Sequence, residues 1–522
     1  MKPDQAAALR HFWRQAPLFA RIGGRLNLRS YQAEAARQVA ASVLEGRGLS
    51  FVIMFPRQSG KNELQAQLEA YLLLLLSDWP YEMVKVSPTW KPQSQNAMRR
   101  LERVLDGNLF TRHRWRKESG YIYRLGRARL TFLSGAAGAN VVGATASHLL
   151  ACDEAQDVEI VKWDKEFAPM AASANATRVF WGTAWTAETL LGRELRAAQA
   201  AERQDGLRRV FRIDAGQVAA EVPAYGRFVA EQVSRLGRQH PLIRTQYYSE
   251  ELEAAGGLFP PARLALMRGA HPAQVAPLPG RMYAVTIDVG GEEMPGGERA
   301  PGGEAPLSNC VGEGRGNEVH DATALTVFEV DLEGMDGPLA GQGRPLYRAV
   351  WRCAWNGASQ VQLYAQIKAL LAHWQPLNTV IDATGLGAGL AAFLEALQMG
   401  RVLRFVFNAH SKSKLGWDFL SIIETGRYKE HAPDEVQPLQ ALFWAQAAGC
   451  EYRLQPTVGC TASEARLLGW GVPPGKRHPA SGSPLHDDLL VSAALVAALE
   501  DLPWGRAHSA IIPAPAPGWD RF

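Results

Sequence analysis

Cysteine is scarce in this chain, and the few cysteines are scattered. The 522 residues include five, at positions 152, 310, 353, 450 and 460, and no two of them form a CxxC pair. Structural zinc sites require closely spaced Cys or His ligands, and disulfide frameworks are typical of short secreted chains. The pattern therefore argues against structural zinc and fits a protein of a reducing compartment.

Long apolar runs and a strong charge imbalance are also missing. The longest run, Tyr71–Leu76, is far shorter than the roughly 20 residues that cross a bilayer. Near the start, Asp4, Arg10 and Arg14 interrupt any signal-peptide core. The net charge of +4 and pI of about 8.7 permit nucleic-acid binding without requiring it. With 47% hydrophobic residues, the composition is that of a soluble globular protein, and the length predicts at least two domains.

The stretch Phe51–Leu64, FVIMFPRQSGKNEL, predicts a strand, a tight polar turn and the start of a helix. Such a turn faces a phosphate with backbone N–H groups and the helix dipole, and a lysine, here Lys61, reaches the β- and γ-phosphates. The motif is degenerate, because Phe55 replaces the usual first glycine and Asn62 replaces the usual Ser or Thr. Alone, a Gly-Lys turn is more often an ordinary loop.

A second motif, HLLACDEA at His148–Ala155, predicts an apolar strand that ends in Asp153 and Glu154. In P-loop enzymes the first such carboxylate holds Mg²⁺, and a following glutamate orients and activates the attacking water. The alternative is a strand that merely ends in polar residues, but the two motifs together favour a nucleotide site. A third strand, Arg178–Trp181, leads to Thr183, which is placed to sense the γ-phosphate. The alternation of strands and helices predicts a parallel α/β sheet.

Two further features have a functional and an ordinary interpretation. Tyr31 and Gln32 begin a helix predicted over Ser30–Leu44, where they can stack on and hydrogen-bond an adenine; two residues of a surface helix are an equal alternative. The run RHRWRK at 112–117 places cations around an aromatic ring, which suits a phosphate backbone. A solvated charged loop is the favoured interpretation of that run.

Breaks in the pattern predict the domain organisation. Gly256–Pro261 and a Pro-rich stretch at 272–280 indicate a linker over 251–280, between a first domain at 1–250 and a second at 281–505. The Gly-rich segment 290–317 is predicted to be a flexible insertion, and 506–522 to be a flexible Pro-rich tail.

The second half contains a set of carboxylates at predicted element ends. Asp288 and Asp382 end two apolar strands, and Asp487 and Asp488 open a helix. Converging carboxylates repel unless cations neutralise them, and hard oxygen ligands favour Mg²⁺ or Mn²⁺. Two such ions about 3.5–4 Å apart clamp the attacking and leaving oxygens of a phosphodiester. The alternative is that these residues are unrelated caps, since Asp487 and Asp488 are favourable at a helix N-terminus in any case.

Six motifs occur in a specific order: RQSGKN, LLACDEAQ, GTA, TIDVG, VIDATGLG and HDDLLVSA. Together they resemble the large terminase subunit of tailed bacteriophages. The resemblance implies an α/β protein with an N-terminal P-loop (ASCE-type) ATPase domain, whose sheet is mostly parallel, and a C-terminal RNase H-like nuclease domain. It also implies a motor that hydrolyses ATP to translocate double-stranded DNA into a procapsid, and a two-metal endonuclease that cuts concatemeric DNA.

The resemblance assigns roles by position. The implied phosphate-binding residues are Arg57, Gln58, Ser59, Gly60, Lys61 and Asn62, and the implied adenine-side residues are Tyr31 and Gln32. Asp153 would hold Mg²⁺, Glu154 would be the catalytic glutamate, and Arg57 and Thr183 would act in catalysis and coupling. The implied nuclease metal ligands are Asp288, Asp321, Asp382, Asp487 and Asp488.

The implied cofactors are ATP and Mg²⁺, with Mn²⁺ able to substitute in the nuclease. The implied partners are double-stranded DNA, the portal protein of the procapsid, the small terminase subunit and further copies of this chain in a ring, a pentamer, in the host cytoplasm. Two rival functions remain open: a helicase-like ATPase-nuclease of DNA repair, and a catalytically degenerate adaptor between DNA and portal. Intact Lys61, Glu154 and nuclease aspartates weigh against the adaptor.

Overall fold

The computed structural model describes residues 15–136, 138–139, 143–253, 255–290, 322–332, 344–356, 359–433, 438–455 and 467–502. Asp321, the tail predicted at 506–522, and the predicted insertion beyond Gly290 lie outside those residues. The chain divides into two compact units, Met1–Gly256 with Arg453–Leu467, and Gly257–Tyr452 with Leu468–Phe522. The functions predicted for the two halves are not tested by this division.

The first unit alternates strands and helices. Its strands are β1 (Ser50–Met54), β2 (Glu82–Ser87), β3 (Trp115–Glu118), β4 (Ile122–Leu125), β5 (Ala128–Ser134), β6 (Leu149–Cys152), β7 (Thr177–Gly182) and β8 (Val210–Arg212). Its helices are α1 (Ala16–Gly24), α2 (Ser30–Leu44), α3 (Lys61–Leu75), α4 (Gln95–Gly107), α5 (Ile160–Lys162), α6 (Leu190–Asp205), α7 (Ala215–Glu221), α8 (Pro223–Leu236) and α9 (Pro241–Gln246).

These strands form one sheet in the order β3-β4-β5-β2-β6-β7-β1-β8. The last six strands in this order, β5, β2, β6, β7, β1 and β8, are parallel to one another. Strands β3 and β4 extend the sheet as an antiparallel edge. Strands β1 and β6 are buried on both faces, as helix-covered parallel strands are, which explains their unbroken apolar sequences. Strand β7 lies between β1 and β6, which is the ASCE-type arrangement.

The parallel pairing brings the ends of three strands to one edge. Met54 at the end of β1 is opposite Gly182 at the end of β7, and Cys152 of β6 is opposite Phe180 of β7. The residues that follow these strands therefore face the same crevice, where open α/β sheets bind ligands.

The second unit contains the remaining elements. Its strands, three of which (β9, β16 and β17) include residues on both sides of the unit division, are β9 (Ala255–Gly257), β10 (Met282–Asp288), β11 (Thr323–Asp331), β12 (Leu346–Trp355), β13 (Asn378–Asp382), β14 (Val402–Phe405), β15 (Tyr428–Glu430), β16 (Glu451–Gln455) and β17 (Leu467–Gly471). Its helices are α10 (Pro261–Met267), α11 (Gln360–Trp374), α12 (Gly387–Leu397), α13 (Ala409–Glu424), α14 (Leu439–Gly449) and α15 (Asp488–Ala494).

A six-stranded sheet in the order β14-β13-β10-β11-β12-β15 forms the centre of this unit. Strands β10, β11 and β12 are an antiparallel meander, while β13 and β14 continue on the other side parallel to β10. This is an RNase H-like arrangement. The predicted fold class, a mostly parallel P-loop fold followed by an RNase H-like fold, is thus confirmed.

Two observations complete the general picture. Cys152, Cys353 and Cys450 are buried cysteines. Within the described ranges, no helix has the length and apolar character needed to cross a membrane.

A buried ion pair joins β12 to β15 in the second unit. Both guanidinium nitrogens of Arg352 donate to Glu430 at 2.6 Å, and the two side chains are 1% and 0% exposed. The Arg352 guanidinium also lies 4.1 Å from the centre of the Phe443 ring. Such a pair is expensive to break from one side, because the remaining charge is buried without compensation.

We expect Arg352→Met to destabilise the second unit by about 3–5 kcal/mol, and Arg352→Met/Glu430→Leu to recover most of that loss. Urea unfolding of the full chain measures both. Lys414→Met is the control, because Lys414 pairs with Asp418 at 2.8 Å while 64% exposed, where a pair is worth about 1 kcal/mol or less. The expectation would be contradicted if Arg352→Met were at least as stable as Arg352→Met/Glu430→Leu.

Candidate functional site

The phosphate turn, Pro56–Gly60, is shaped by two residues with left-handed backbone. Gln58 has φ 61° and Gly60 has φ 92°. A Cβ on Gly60 would lie 2.5 Å from the side-chain nitrogen of Gln32, so only glycine fits there. Lys61 follows at once as the first residue of α3.

Three side chains from the start of α2 hold the carbonyl groups of this turn. Arg29 Nη1 and Tyr31 Oη donate to the Ser59 carbonyl at 2.6 and 2.8 Å, and Gln32 Nε2 donates to the Gly60 carbonyl at 3.0 Å. In a planar trans peptide the N–H points opposite to the C=O. Fixing these two carbonyls therefore directs the N–H groups of Gly60 and Lys61 away from α2, where a phosphate can accept from them.

This contact set gives Tyr31 and Gln32 a role that the sequence did not predict. Tyr31 is buried, with its ring edge-on to Phe55 at 5.2 Å. The Gln32 amide also accepts from the backbone N–H of Arg29 at 2.9 Å, so its oxygen and its nitrogen are both bonded within the protein. Contact of these two residues with an adenine stays a prediction. Arg29 precedes the helix without any motif to mark it.

Arg57 has a fixed backbone and an exposed side chain. Its N–H donates to the Gln246 carbonyl at 2.8 Å, and its own carbonyl accepts from Tyr225 Oη at 2.9 Å. The guanidinium donates to Gln246 Oε1 at 3.2 Å. The side chain is thus accessible to a phosphate, and its predicted phosphate contact stays a prediction.

Lys61 and Glu154 meet across the crevice. Lys61 Nζ lies 2.7 Å from Glu154 Oε1, and the side chains are 7% and 22% exposed. Glu154 has left-handed backbone, φ 45° and ψ 51°, and its second oxygen accepts from Gln156 Nε2 at 2.8 Å. Non-glycine residues adopt this backbone rarely, and such strain is concentrated at functional sites.

Gln156 connects Glu154 with the end of β7. Its carbonyl oxygen accepts from the backbone N–H of Thr183 at 3.3 Å. A Cβ on Gly182 would lie 2.3 Å from the same oxygen, so a glycine is required beside Thr183. The coupling role of Thr183 stays a prediction, and Gln156 is the physical link that the motif did not reveal.

Asp153 is held at the tip of β6 by two donors. Its Oδ1 accepts from Gln65 Nε2 at 2.9 Å and from the backbone N–H of Glu154 at 3.1 Å, and the residue is 5% exposed. Gln65 follows Lys61 by one helical turn on α3, whereas Asn62 is exposed. The carboxylate suits Mg²⁺, and its role as ligand stays a prediction.

A buried ion pair lies one further turn along the same face of α3. Lys85 Nζ of β2 donates to Glu69 Oε1 at 2.7 Å. Burial raises the pKa of the Glu69 carboxyl, the ammonium of Lys85 opposes that rise, and the charge of Asp153 adds to it. Lys61, Gln65 and Glu69 therefore form one polar stripe beneath the crevice.

Two cations of the run at 112–117 pair with acidic neighbours. Arg116 pairs with Glu118 and Lys117 with Glu102, both at 2.9 Å. Trp115 Nε1 donates to Asp106 at 2.9 Å. Residues 115–117 belong to strand β3 and not to the predicted loop, while contact of this run with DNA stays a prediction.

In the second unit, the four predicted carboxylates belong to neighbouring elements. Ile287 of β10 pairs with Ile381 of β13, so Asp288 and Asp382 end adjacent parallel strands at the same edge. Helix α15 is fixed to the sheet by Ser492 Oγ, which donates to the Thr286 carbonyl at 3.2 Å. Its N-terminus carries Asp487 and Asp488.

The other three carboxylates of this set influence Asp288. Burial raises the pKa of Asp288 well above its ordinary value, and the charges of Asp488, Asp382 and Asp487 raise it further, in that order. The charge of Lys412 opposes the rise. Burial also raises the pKa of Asp382, against a hydrogen bond that its Oδ1 accepts from the Thr384 N–H at 2.8 Å.

The two helix aspartates have separate supports. Asp488 Oδ2 accepts from the Ala322 N–H at 3.1 Å. Asp487 Oδ2 lies 4.0 Å from Lys412 Nζ. Gly471, at φ 153°, allows that carboxylate to approach, since a Cβ there would lie 2.5 Å from Asp487 Oδ2.

The donor chemistry of this carboxylate cluster (Asp288, Asp382, Asp487, Asp488) fits a hard divalent cation, which would remove the mutual repulsion. Among the residues that the structure describes, however, no three His, Cys, Asp or Glu side chains are grouped closely enough to hold a metal ion. The fifth predicted ligand, Asp321, lies outside the described residues, next to Ala322. Metal binding by the five aspartates stays a prediction.

Comparisons with known proteins gave results for solved structures alone. No protein-family model and no curated protein sequence matches the chain. Similar structures include the large terminase from a thermophilic bacteriophage, with 9% identity, a TM-score of 0.44, and coverage of 90% of this chain and 98% of that one. The HK97 bacteriophage large terminase has 12% identity, a TM-score of 0.40, and coverage of 93% and 99%.

A third similar structure corresponds to part of the chain. It is the large terminase nuclease from thermophilic phage G20c with bound magnesium, with 16% identity, a TM-score of 0.29, and coverage of 46% of this chain and 96% of that one. All three are large terminases of bacteriophages. This is the family that the six motifs resemble.

The raised pKa of Asp288 leads to a pH-dependent stability. In the unfolded chain this acid ionises near its ordinary value, 3.8, whereas the folded chain binds the proton to higher pH, so stability falls as pH rises through that window. Asp288→Asn removes the loss, and each unit of pKa elevation corresponds to about 1.4 kcal/mol. In chelator, we expect the variant to match the wild type below pH 3.8 and to be more stable at neutral pH.

Thermal denaturation of both proteins across pH, always in excess chelator, measures this difference. Asp501→Asn is the matched control, because the Asp501 side chain is 76% exposed. A constant difference between Asp288→Asn and wild type at every pH would refute the argument.

Proposed function

We propose that this chain is the large subunit of a phage terminase, a motor that hydrolyses ATP to move double-stranded DNA into a procapsid and a nuclease that cuts concatemeric DNA. The observation that carries the proposal is the contact of Lys61 with Glu154 at 2.7 Å, beside Asp153, at the shared edge of β1, β6 and β7. In this proposal Lys61 is the cation for phosphate and Glu154 is the carboxylate for water, on opposite sides of one crevice.

The residues of the crevice account for the steps of hydrolysis. The N–H groups of Gly60 and Lys61 bind phosphate oxygens, and Lys61 leaves Glu154 for the γ-phosphate, whose charge is the greater. Glu154, still held by Gln156, is then free to orient a water and accept its proton. Mg²⁺, held by Asp153, would neutralise charge on the β- and γ-phosphate oxygens.

Gln156 also offers a route from hydrolysis to movement. Its amide touches Glu154 at one end and the Thr183 backbone at the other. A change in the Glu154 position on hydrolysis would alter this bond and shift the segment after β7. Thr183 is thereby the first residue of the coupling segment in this proposal.

The second unit is proposed to be the nuclease. Asp288, Asp382 and Asp487, together with the further predicted ligands Asp488 and Asp321, would hold Mg²⁺ or Mn²⁺, which would supply Lewis-acid stabilisation of the phosphodiester oxygens. The protein aligns these carboxylates through the pairing of β10 with β13 and the attachment of α15. Cleavage with little sequence preference is expected, because contacts to phosphates carry no base information.

The proposed partners follow from this function. They are double-stranded DNA, the portal protein of the procapsid, the small terminase subunit and further copies of this chain in a pentameric ring, in the host cytoplasm. ADP and ATP-γ-S are bound in further structures of the first large terminase compared above. ATP is the proposed nucleotide here.

ATP-dependent uptake of DNA into purified procapsids tests the motor. Glu154→Gln should lower ATP turnover by roughly 10²- to 10⁴-fold, the usual contribution of a general base, and abolish uptake, while nucleotide still binds. Lys61→Ala should also weaken nucleotide binding. Glu159→Gln is the matched control, because Glu159 is exposed five residues away on the same segment.

The result also separates the rival functions. Stimulation of the ATPase by forked DNA, with none by portal or procapsid, would identify a repair enzyme instead. Normal turnover in Glu154→Gln would remove the proposed role of that residue.

For the nuclease, we expect Asp382→Asn to reduce cleavage by orders of magnitude. Folding should persist because the substitution keeps the side-chain size, and ATP turnover should persist because Asp382 belongs to the second unit and the proposed ATPase residues to the first. Mn²⁺ should replace Mg²⁺, and Ca²⁺ should support little cleavage because its looser coordination positions the oxygens poorly. Nicking of plasmid DNA measures each case, with Asp501→Asn as control. Cleavage in excess chelator would exclude the proposed site.

A further inference from the structure

The phosphate turn of this chain lacks the hydroxyl group that ordinarily follows its lysine. In P-loop enzymes a Ser or Thr hydroxyl at that position and the aspartate at the neighbouring strand tip hold the same Mg²⁺. Here the position is occupied by Asn62, which is exposed. The two hydrogen bonds to Asp153 in the described structure come from Gln65 and from the Glu154 backbone.

Gln65 approaches Asp153 from the helix that begins with Lys61. Its Nε2 donates to Asp153 Oδ1 at 2.9 Å, and Gln65 is 1% exposed. A carboxylate only accepts hydrogen bonds, so the amide nitrogen must face Asp153 and the amide oxygen must face elsewhere. Lys61 and Gln65, four residues apart, share one face of α3 and reach the neighbouring carboxylates Glu154 and Asp153.

The other end of the Gln65 amide is unsatisfied. Its Oε1 is buried and has no hydrogen-bond partner within the described structure. A buried acceptor left without a partner costs about 1–3 kcal/mol, and a bound ion or water at this end of the amide would recover that cost. An amide oxygen is a hard ligand that can bind Mg²⁺ directly, or it can accept a hydrogen bond from a water molecule bound to Mg²⁺.

We propose that Gln65 replaces the missing hydroxyl of the phosphate turn. Nε2 holds Asp153 in the orientation that receives the cation, and Oε1 provides an acceptor for the hydrated Mg²⁺ of the bound nucleotide. Gln65 is a positioning residue for Asp153 and a contributor to the magnesium site. The inference rests on the proposed ATPase function.

A second buried glutamine on the same helix provides a matched control. Gln67 is 6% exposed, and its Oε1 is also without a partner in the described residues. Its Nε2 donates to Glu63 Oε1 at 3.1 Å, and its Oε1 would lie 3.7 Å from a Cβ on Gly24 of α1, so it serves a different surface of the helix. Substitution of Gln67 therefore reproduces the loss of a buried amide without touching Asp153.

The test measures nucleotide affinity of the full chain by calorimetry with ATP-γ-S, once in saturating Mg²⁺ and once in EDTA. For Gln65→Met we expect the affinity gained on adding Mg²⁺ to fall by roughly 10- to 100-fold, the usual loss when a metal ligand loses its support. Affinity in EDTA should be unchanged, and Gln67→Met should behave as wild type in both conditions. The Mg²⁺ concentration for half-maximal ATP turnover should rise in Gln65→Met alone.

A second-site variant sharpens the test. Asn62→Ser restores the hydroxyl at its ordinary position, so Asn62→Ser/Gln65→Met should recover the Mg²⁺-dependent affinity that Gln65→Met loses. If Gln65→Met does not fold, Gln65→Asn keeps the amide but is one methylene too short for Asp153, and it should show the same selective loss.

Three results would overturn the inference: wild-type Mg²⁺ dependence in Gln65→Met, equal losses with Mg²⁺ and EDTA, or equal losses in Gln65→Met and Gln67→Met. The last two would mark a packing role. Failure of the proposed function has a separate signature, because a wild-type chain without nucleotide binding refutes the ATPase itself.

Discussion

A buried charge needs a partner, and the ammonium group of Lys61 has one in Glu154, which joins the two sides of the crevice. The contact is possible because β7 lies between β1 and β6 and pairs with both of them in parallel. The ends of β1 and β6 therefore lie at the same edge of the sheet. The same contact is what a γ-phosphate would displace. In the proposed function, the crevice is therefore arranged around an interaction that nucleotide binding would exchange for a stronger one.

The surrounding hydrogen bonds fix the backbone rather than the ligand. Arg29, Tyr31 and Gln32 hold turn carbonyls, and Tyr225 and Gln246 hold Arg57. Because each peptide is planar, fixing one side of the turn orients the other side for an anion. Because these N–H groups are already held in place, binding an anion would cost little conformational entropy.

The sequence predicts the strands and the polar residues that follow them, because both depend on local patterns of apolar and polar residues. Lys61, Asp153 and Glu154 each follow an apolar run, and their strands form at those runs. The sequence does not contain the order of the strands, nor contacts such as Gln65 with Asp153, which are 88 residues apart. The sequence offers an adenine contact or a surface helix for Tyr31 and Gln32, whereas their bonds to carbonyls 28 residues away have no local sequence signal.

The two units satisfy opposite electrostatic conditions. In the first, each charged group of the α3 stripe has a partner within the protein: Lys61 with Glu154, and Glu69 with Lys85. In the second, the charges of Asp488, Asp382 and Asp487 raise the pKa of Asp288, and the charge of Lys412 opposes that rise. The pairing of β10 with β13 and the attachment of α15 keep this repulsion in place, because they fix the elements that carry these carboxylates. Divalent cations would release it, and metal binding should therefore stabilise the second unit far more than the first.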